Sequence, residues 1–151
     1  MKKELIYQQI ASLWTEKMPF NQLLGFKITH FNSDESEVRF AWQDKLIGHP
    51  IQKTLHGGVT ASVLDLAGGV VAAANIIERM DDISPDKIQQ SLMQLSTIDL
   101  RTDFLRPGRG KEFIATARII RNGNKVAVSR MELHNELGVH IAFGTGTYMV
   151  G

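Results

Sequence analysis

One carboxylate stands alone in this chain of 151 residues: Asp65 is the only ionisable side chain between His56 and Glu78. It sits in a small-residue, apolar run that opens Thr54-Leu55-His56-Gly57-Gly58 and continues through Gly68-Gly69 to Ile77. A carboxylate in an otherwise buried segment is costly unless it is paired or used. Used, it can deprotonate water or attack an electrophile itself. The His and two glycines suit a helix N-terminus at which backbone must approach something closely. There the orphan N–H groups of Gly57 and Gly58, with the positive end of the helix dipole, would stabilise a developing oxyanion. Each residue also has a plainer reading. Asp65 could be a structural carboxylate bonded to a loop, and His56 a capping or positioning residue rather than a base. His49 and His56 lack a carboxylate or Cys at useful spacing, so no metal site is expected.

The elements that must hold these groups follow from periodicity. Leu5, Ile6, Ile10, Leu13 and Trp14 recur at helical spacing, which predicts an amphipathic N-terminal helix within residues 1–18, lying across the main body. Met18-Pro19 interrupts it. A strand at 26–31 and a second carrying Val38, Phe40 and Trp42 are joined by Asn32-Ser33-Asp34-Glu35, a hairpin signature. Residues 43–55 read as irregular, and the long helix runs from about His56 to Arg79. Residues 80–94 read as a surface loop. Then come alternating strands: 96–104, ended by Pro107-Gly108; 113–120; one after the Asn122-Gly123 turn; and 139–149 after Leu137-Gly138. Gly144 and Gly146 on one face of the last strand leave room for a helix. The expected class is α+β, one antiparallel sheet wrapped around a long central helix in a single domain, 1–151.

Bulk properties agree with one globular domain. The hydrophobic fraction is 43% and the charged fraction 22%, both ordinary. A net charge of +1 carries no broad basic excess, so no nucleic-acid partner is expected. There is no Cys, which excludes disulfides and thiolate chemistry and is compatible with the cytoplasm. Met1-Lys2-Lys3-Glu4 leads into no signal-like apolar run. Val59–Ile77 is near a minimal membrane span, but Asp65, Asn75 and the glycine pair favour a buried core helix, so no membrane partner is expected.

With His56-Gly57-Gly58, Asp65 nine residues on from His56, and this order of elements, the chain resembles the hotdog-fold acyl-CoA thioesterases. The nearest branch is similar to the phenylacetyl-CoA-thioesterase-like family. Leu24-Gly25-Phe26, Thr97-Ile98-Asp99-Leu100, Phe104-Leu105-Arg106-Pro107 with Gly110, Ile120-Arg121-Asn122-Gly123 and Gly144-Thr145-Gly146-Thr147-Tyr148 also match. The resemblance implies hydrolysis of an acyl-CoA thioester to free acid and coenzyme A, with no cofactor beyond the coenzyme A of the substrate. It implies homodimers, often paired into tetramers, with active sites at the dimer interface. Asp65 would be general base or nucleophile, the Gly57 N–H would polarise the carbonyl, and Thr97 would orient the attacking water. Relatives often carry an Asn six or seven residues before the motif His. Those positions are Pro50 and His49 here, so either His49 stands in for the amide or that role is absent. Arg106 and Arg121, near strand ends, are candidate contacts for coenzyme A phosphates, or ordinary solvated charges.

Spacing adds a constraint. Asp65 lies eight residues beyond Gly57, roughly 12 Å along a helix, so one carbonyl cannot reach both groups of the same chain. A site using both must draw them from two subunits. The rival readings are a hydratase or dehydratase acting on enoyl-CoA with the same fold, and a module that binds acyl-CoA without cleaving it.

Overall fold

A computed structural model describes residues 2–151. Helix α1 (Lys2–Lys17) and the short α2 (Pro19–Leu24) lead into the hairpin β1 (Lys27–Phe31) and β2 (Glu35–Ala41). A small second hairpin, β3 (Ile47–His49) with β4 (Thr54–Leu55), precedes the central helix α3 (Gly57–Glu78). Helix α4 (Pro85–Leu92) then leads to β5 (Ser96–Phe104), β6 (Glu112–Asn122), β7 (Val126–Asn135) and β8 (His140–Met149). The six long strands form one antiparallel sheet in the order β1-β2-β6-β7-β8-β5. The sheet buries α3, as the alternation of its strands requires.

Fourteen residues of α3 are buried, because its small side chains let the sheet close around it. The helix is long and apolar enough to cross a bilayer, yet 72% of that window is buried inside the fold. It is the core helix. Polar groups of the sheet also pin it. The Ser36 hydroxyl donates to the Ala67 carbonyl at 2.7 Å and the Ser129 hydroxyl to the Gly68 carbonyl at 3.0 Å. Asn75 donates to the Ser33 carbonyl and accepts from Asn122, both at 2.8 Å. One buried amide thus ties two hairpin turns to the helix.

Four expectations need correction. Leu5 and Leu13 are 58% and 54% exposed, because α1 meets the body along a narrower stripe centred on the buried Tyr7 and Ile10. Met18-Pro19 does not only interrupt: Pro19 opens α2, which Gly25 closes with a left-handed backbone at φ +76°. The stretch 43–55 contains the β3–β4 hairpin and a 3-10 turn at 44–46. Residues 80–94 are not a loop, since α4 starts at Pro85 and docks through the buried Ile88. The Asn122-Gly123 turn stands where expected, although Gly123 is not left-handed, so it is not the two-residue turn that dipeptide favours.

Candidate active site

The N-terminus of α3 is built by its own sequence. His56 is the cap, and its Nδ1 accepts the Gly58 N–H at 2.8 Å. The Gly58 donor is therefore spent on the cap, which corrects the expectation that both glycines offer free N–H groups. His56 itself takes the capping role. The Gly57 N–H, one residue earlier, has no acceptor among the described residues and keeps the dipole-end position. Phe104, at the end of β5, packs over Gly57, where a Cβ would lie 3.4 Å from its ring. This backbone edge opens into a cleft of about 380 Å³ lined by Gly57, Thr60, Phe104, Arg106 and Gly108, among others. The exposed Arg106 guanidinium donates to the His140 carbonyl at 2.9 Å, at the mouth of this cleft.

Asp65 is held elsewhere. It is half-buried rather than enclosed, and its Oδ1 accepts from the Thr97 hydroxyl at 3.0 Å. Tyr148 Oη stands 3.1 Å from the same oxygen and 3.0 Å from the Asp65 carbonyl. Burial, then the charge and hydrogen bond of Asp65, push the Tyr148 phenol well above its ordinary value, so it stays a neutral donor. Asp65 Oδ2 has no partner among the described residues, and Asp65 lines a cleft of about 330 Å³ walled also by Trp14, Met18, Leu92, Leu95, Thr97 and Tyr148.

Tyr148 was the residue missed by sequence reasoning. Its signal lay in the alternation Gly144, Gly146, Tyr148 on the inner face of β8. The room those glycines leave is filled from both sides. Leu64 of the helix approaches Gly144, while the Tyr148 ring folds back over Gly146 and beneath Gly68.

The clefts of Gly57 and Asp65 share no lining residue. Among the other expected contacts, Thr97 is brought to Asp65 and Arg106 to Gly57. His49 and Arg121 line neither cleft. His49 is exposed, and its Nδ1 accepts the Gln52 N–H at 3.1 Å to shape the β3–β4 turn. Arg121 lies by a bulge in β6, beside the turn that Arg79 at the far end of α3 grips.

Residues 52–142 match the model of the Thioesterase superfamily, and this span includes Gly57, Asp65 and the whole of α3. The chain belongs to that family. It is accordingly a thioester hydrolase with the hotdog fold. The medium/long-chain acyl-CoA thioesterase YigI of Escherichia coli K12 is 45% identical over 142 residues, 94% of this chain and 92% of the relative. A solved Shewanella oneidensis protein related to the thioesterase superfamily superposes with a TM-score of 0.93 at 49% identity, covering 99% of this chain and 97% of that one. The E. coli PaaI protein from the phenylacetic acid degradation operon shares the fold, with a TM-score of 0.77 at 19% identity over 98% of this chain and 95% of that one.

Proposed function

We propose that the protein hydrolyses medium- to long-chain acyl-CoA in a homodimer with two equivalent composite sites, each joining the Gly57 N–H of one protomer to Asp65 of its partner. The observation that carries this is the placement of the two clefts at opposite ends of β5. Thr97, near its start, holds Asp65; Phe104, at its end, covers Gly57. β5 is an edge strand paired only to β8, and it exposes Ile98 and Phe104 by 50% and 57%. A long edge with exposed apolar side chains is a template for another strand. Antiparallel pairing of β5 with its symmetry copy, about a two-fold axis near Leu100, sets the Thr97 end of each strand against the Phe104 end of the other. Each Asp65 then meets the partner's helix N-terminus.

In that site the Gly57 N–H polarises the thioester carbonyl. Asp65 Oδ2 takes a proton from water as the oxygen adds to the carbonyl carbon. The oxyanion collapses, the C–S bond breaks, and the coenzyme A thiolate recovers the proton from Asp65. Thr97 donates to Oδ1, and Tyr148 shares its one proton between Oδ1 and the Asp65 carbonyl, which leaves Oδ2 for the water. These steps call on no metal or cofactor. Arg106 at the mouth of the Gly57 cleft is the candidate for a coenzyme A phosphate. The substrate class and the absence of Cys fit a cytoplasmic enzyme. The test is free-thiol release from acyl-CoA: Asp65→Asn is expected to abolish turnover while leaving the folded oligomer intact, and undiminished hydrolysis would sink the assignment.

A further inference from the structure

We infer that the groove between α1 and α4 is the binding site for the distal part of the acyl chain, and that these two helices set chain-length preference. This rests on the thioesterase reading of Asp65. The groove has a volume of about 590 Å³ and is walled by Ile6, Ile10, Leu13, Ile83, Ile88 and Met93, with Gln9 and Gln89 its only polar side chains. Among the described residues no charged side chain lines it. Trp14 and Leu92 also line it, and both of these wall the Asp65 cleft as well. The two spaces therefore adjoin, with one indole and one leucine common to both. A substrate whose carbonyl lies at Asp65 has an uncharged tail, and this is an uncharged groove that adjoins the carboxylate's cleft.

The shared wall argues for the substrate's own tail over a second protein as the occupant, because a docked surface has no need to adjoin the Asp65 cleft. The helix α4 is what makes the groove: without it, α1 would present Ile6, Ile10 and Leu13 to one side only. The contents of the groove are thus decided by residues outside the motif that carries the chemistry. Leu13 and Met93, exposed by 54% and 79%, line the groove but not the Asp65 cleft, so they can be changed without touching the fold or the carboxylate.

The test compares the wild type with Leu13→Glu/Met93→Glu, and with Gln89→Trp, which fills the groove from an exposed position. Two readouts are used: hydrolysis of acyl-CoA graded from butanoyl to palmitoyl, and calorimetric binding of the matching non-hydrolysable S-alkyl-CoA thioethers. In the wild type, each methylene that enters the groove should tighten thioether binding by about fourfold. Both variants should lose that increment for the long chains and keep wild-type butanoyl-CoA hydrolysis. Unaltered chain-length dependence in both variants overturns the inference. So does a change in oligomeric mass with unaltered chain-length dependence, which would make the groove a contact between copies. Failure of the thioesterase reading shows separately, as full hydrolysis by Asp65→Asn, while thioether binding still reports on the groove.

Discussion

Asp65 has two hydroxyls at one oxygen and none at the other, so on the proposed mechanism the two hydroxyls should be separable from the carboxylate by mutation. Thr97→Val and Tyr148→Phe each remove one hydrogen bond to a charged group, worth about 1.5–3 kcal/mol. Each is expected to lower kcat by roughly tenfold or more with KM little changed, measured by thiol release. The tyrosines also report on the folded state. The chain has two, Tyr7 and Tyr148, and burial together with Glu78 and Asp65 respectively holds both phenols above their ordinary value of 10.0. Unfolded, they release their protons near that value while the folded protein retains them. The native state therefore binds more protons at high pH, and this contribution to stability is complete below the ordinary phenol pKa and is lost as pH rises beyond it. Tyrosinate absorbance should appear only with unfolding, and Tyr148→Phe should flatten the alkaline decline in Tm. Of these residues, Asp65 and Thr97 were readable because a lone charge and a motif position mark them. Tyr148 was not, because an inward tyrosine on a strand looks like any core aromatic until the ring is seen lying over Gly146.

At the scale of elements, the N-terminus of α3 makes a sharper prediction than its side chains do. His56 holds φ −60° and ψ 134°, the extended backbone that a residue before proline prefers. Gly57 is the first helical residue, where proline is well tolerated. Gly57→Pro should therefore leave Tm nearly unchanged, its Cβ in ordinary contact with the Phe104 ring, and abolish turnover, since it replaces the N–H with a ring carbon. A catalytically competent Gly57→Pro enzyme would remove that N–H from the mechanism. Within the helix, Asn75→Ala removes the buried amide that accepts from the exposed Asn122 side chain and donates to the Ser33 carbonyl, and should cost about 0.5–1.5 kcal/mol per lost bond in denaturant unfolding. Strands β2 and β6 to β8 were readable from strict alternation because one face is buried and the other wet. Helix α4 was not, since it buries only Ile88 fully and its other apolar residues face the groove. Its Ser84-Pro85 start and the i, i+4 pair Ile88 and Leu92 were the available signal. Leu5 and Leu13 show the converse, a helical stripe wider than the surface that receives it.

For the whole molecule, the composite site predicts complementation. Asp65→Asn and Gly57→Pro are each inactive in homodimers, but in a mixed dimer one site collects both lesions and the other none. Co-refolding the two variants should restore activity that neither parent has, read by thiol release after purification through two different affinity tags. If each site were complete within one chain, mixing would restore nothing. The separation that requires this was deducible from residue spacing alone, roughly 12 Å between Gly57 and Asp65. Which strand would bring the halves together was not, because the bulge between Thr97 and Asp99 and the wide exposure of β5 emerge only from the sheet order.

The open edge of β5 also bears on how the protein is handled. On the proposed dimer, a newly made chain carries a nine-residue strand with one side unpaired until it meets its copy, and such an edge accepts strangers as readily as kin. Dilution below the dimer's dissociation range should therefore bring aggregation as well as loss of turnover. A charged substitution at Ile98, on that edge, should yield a chain that stays soluble and is inactive by itself.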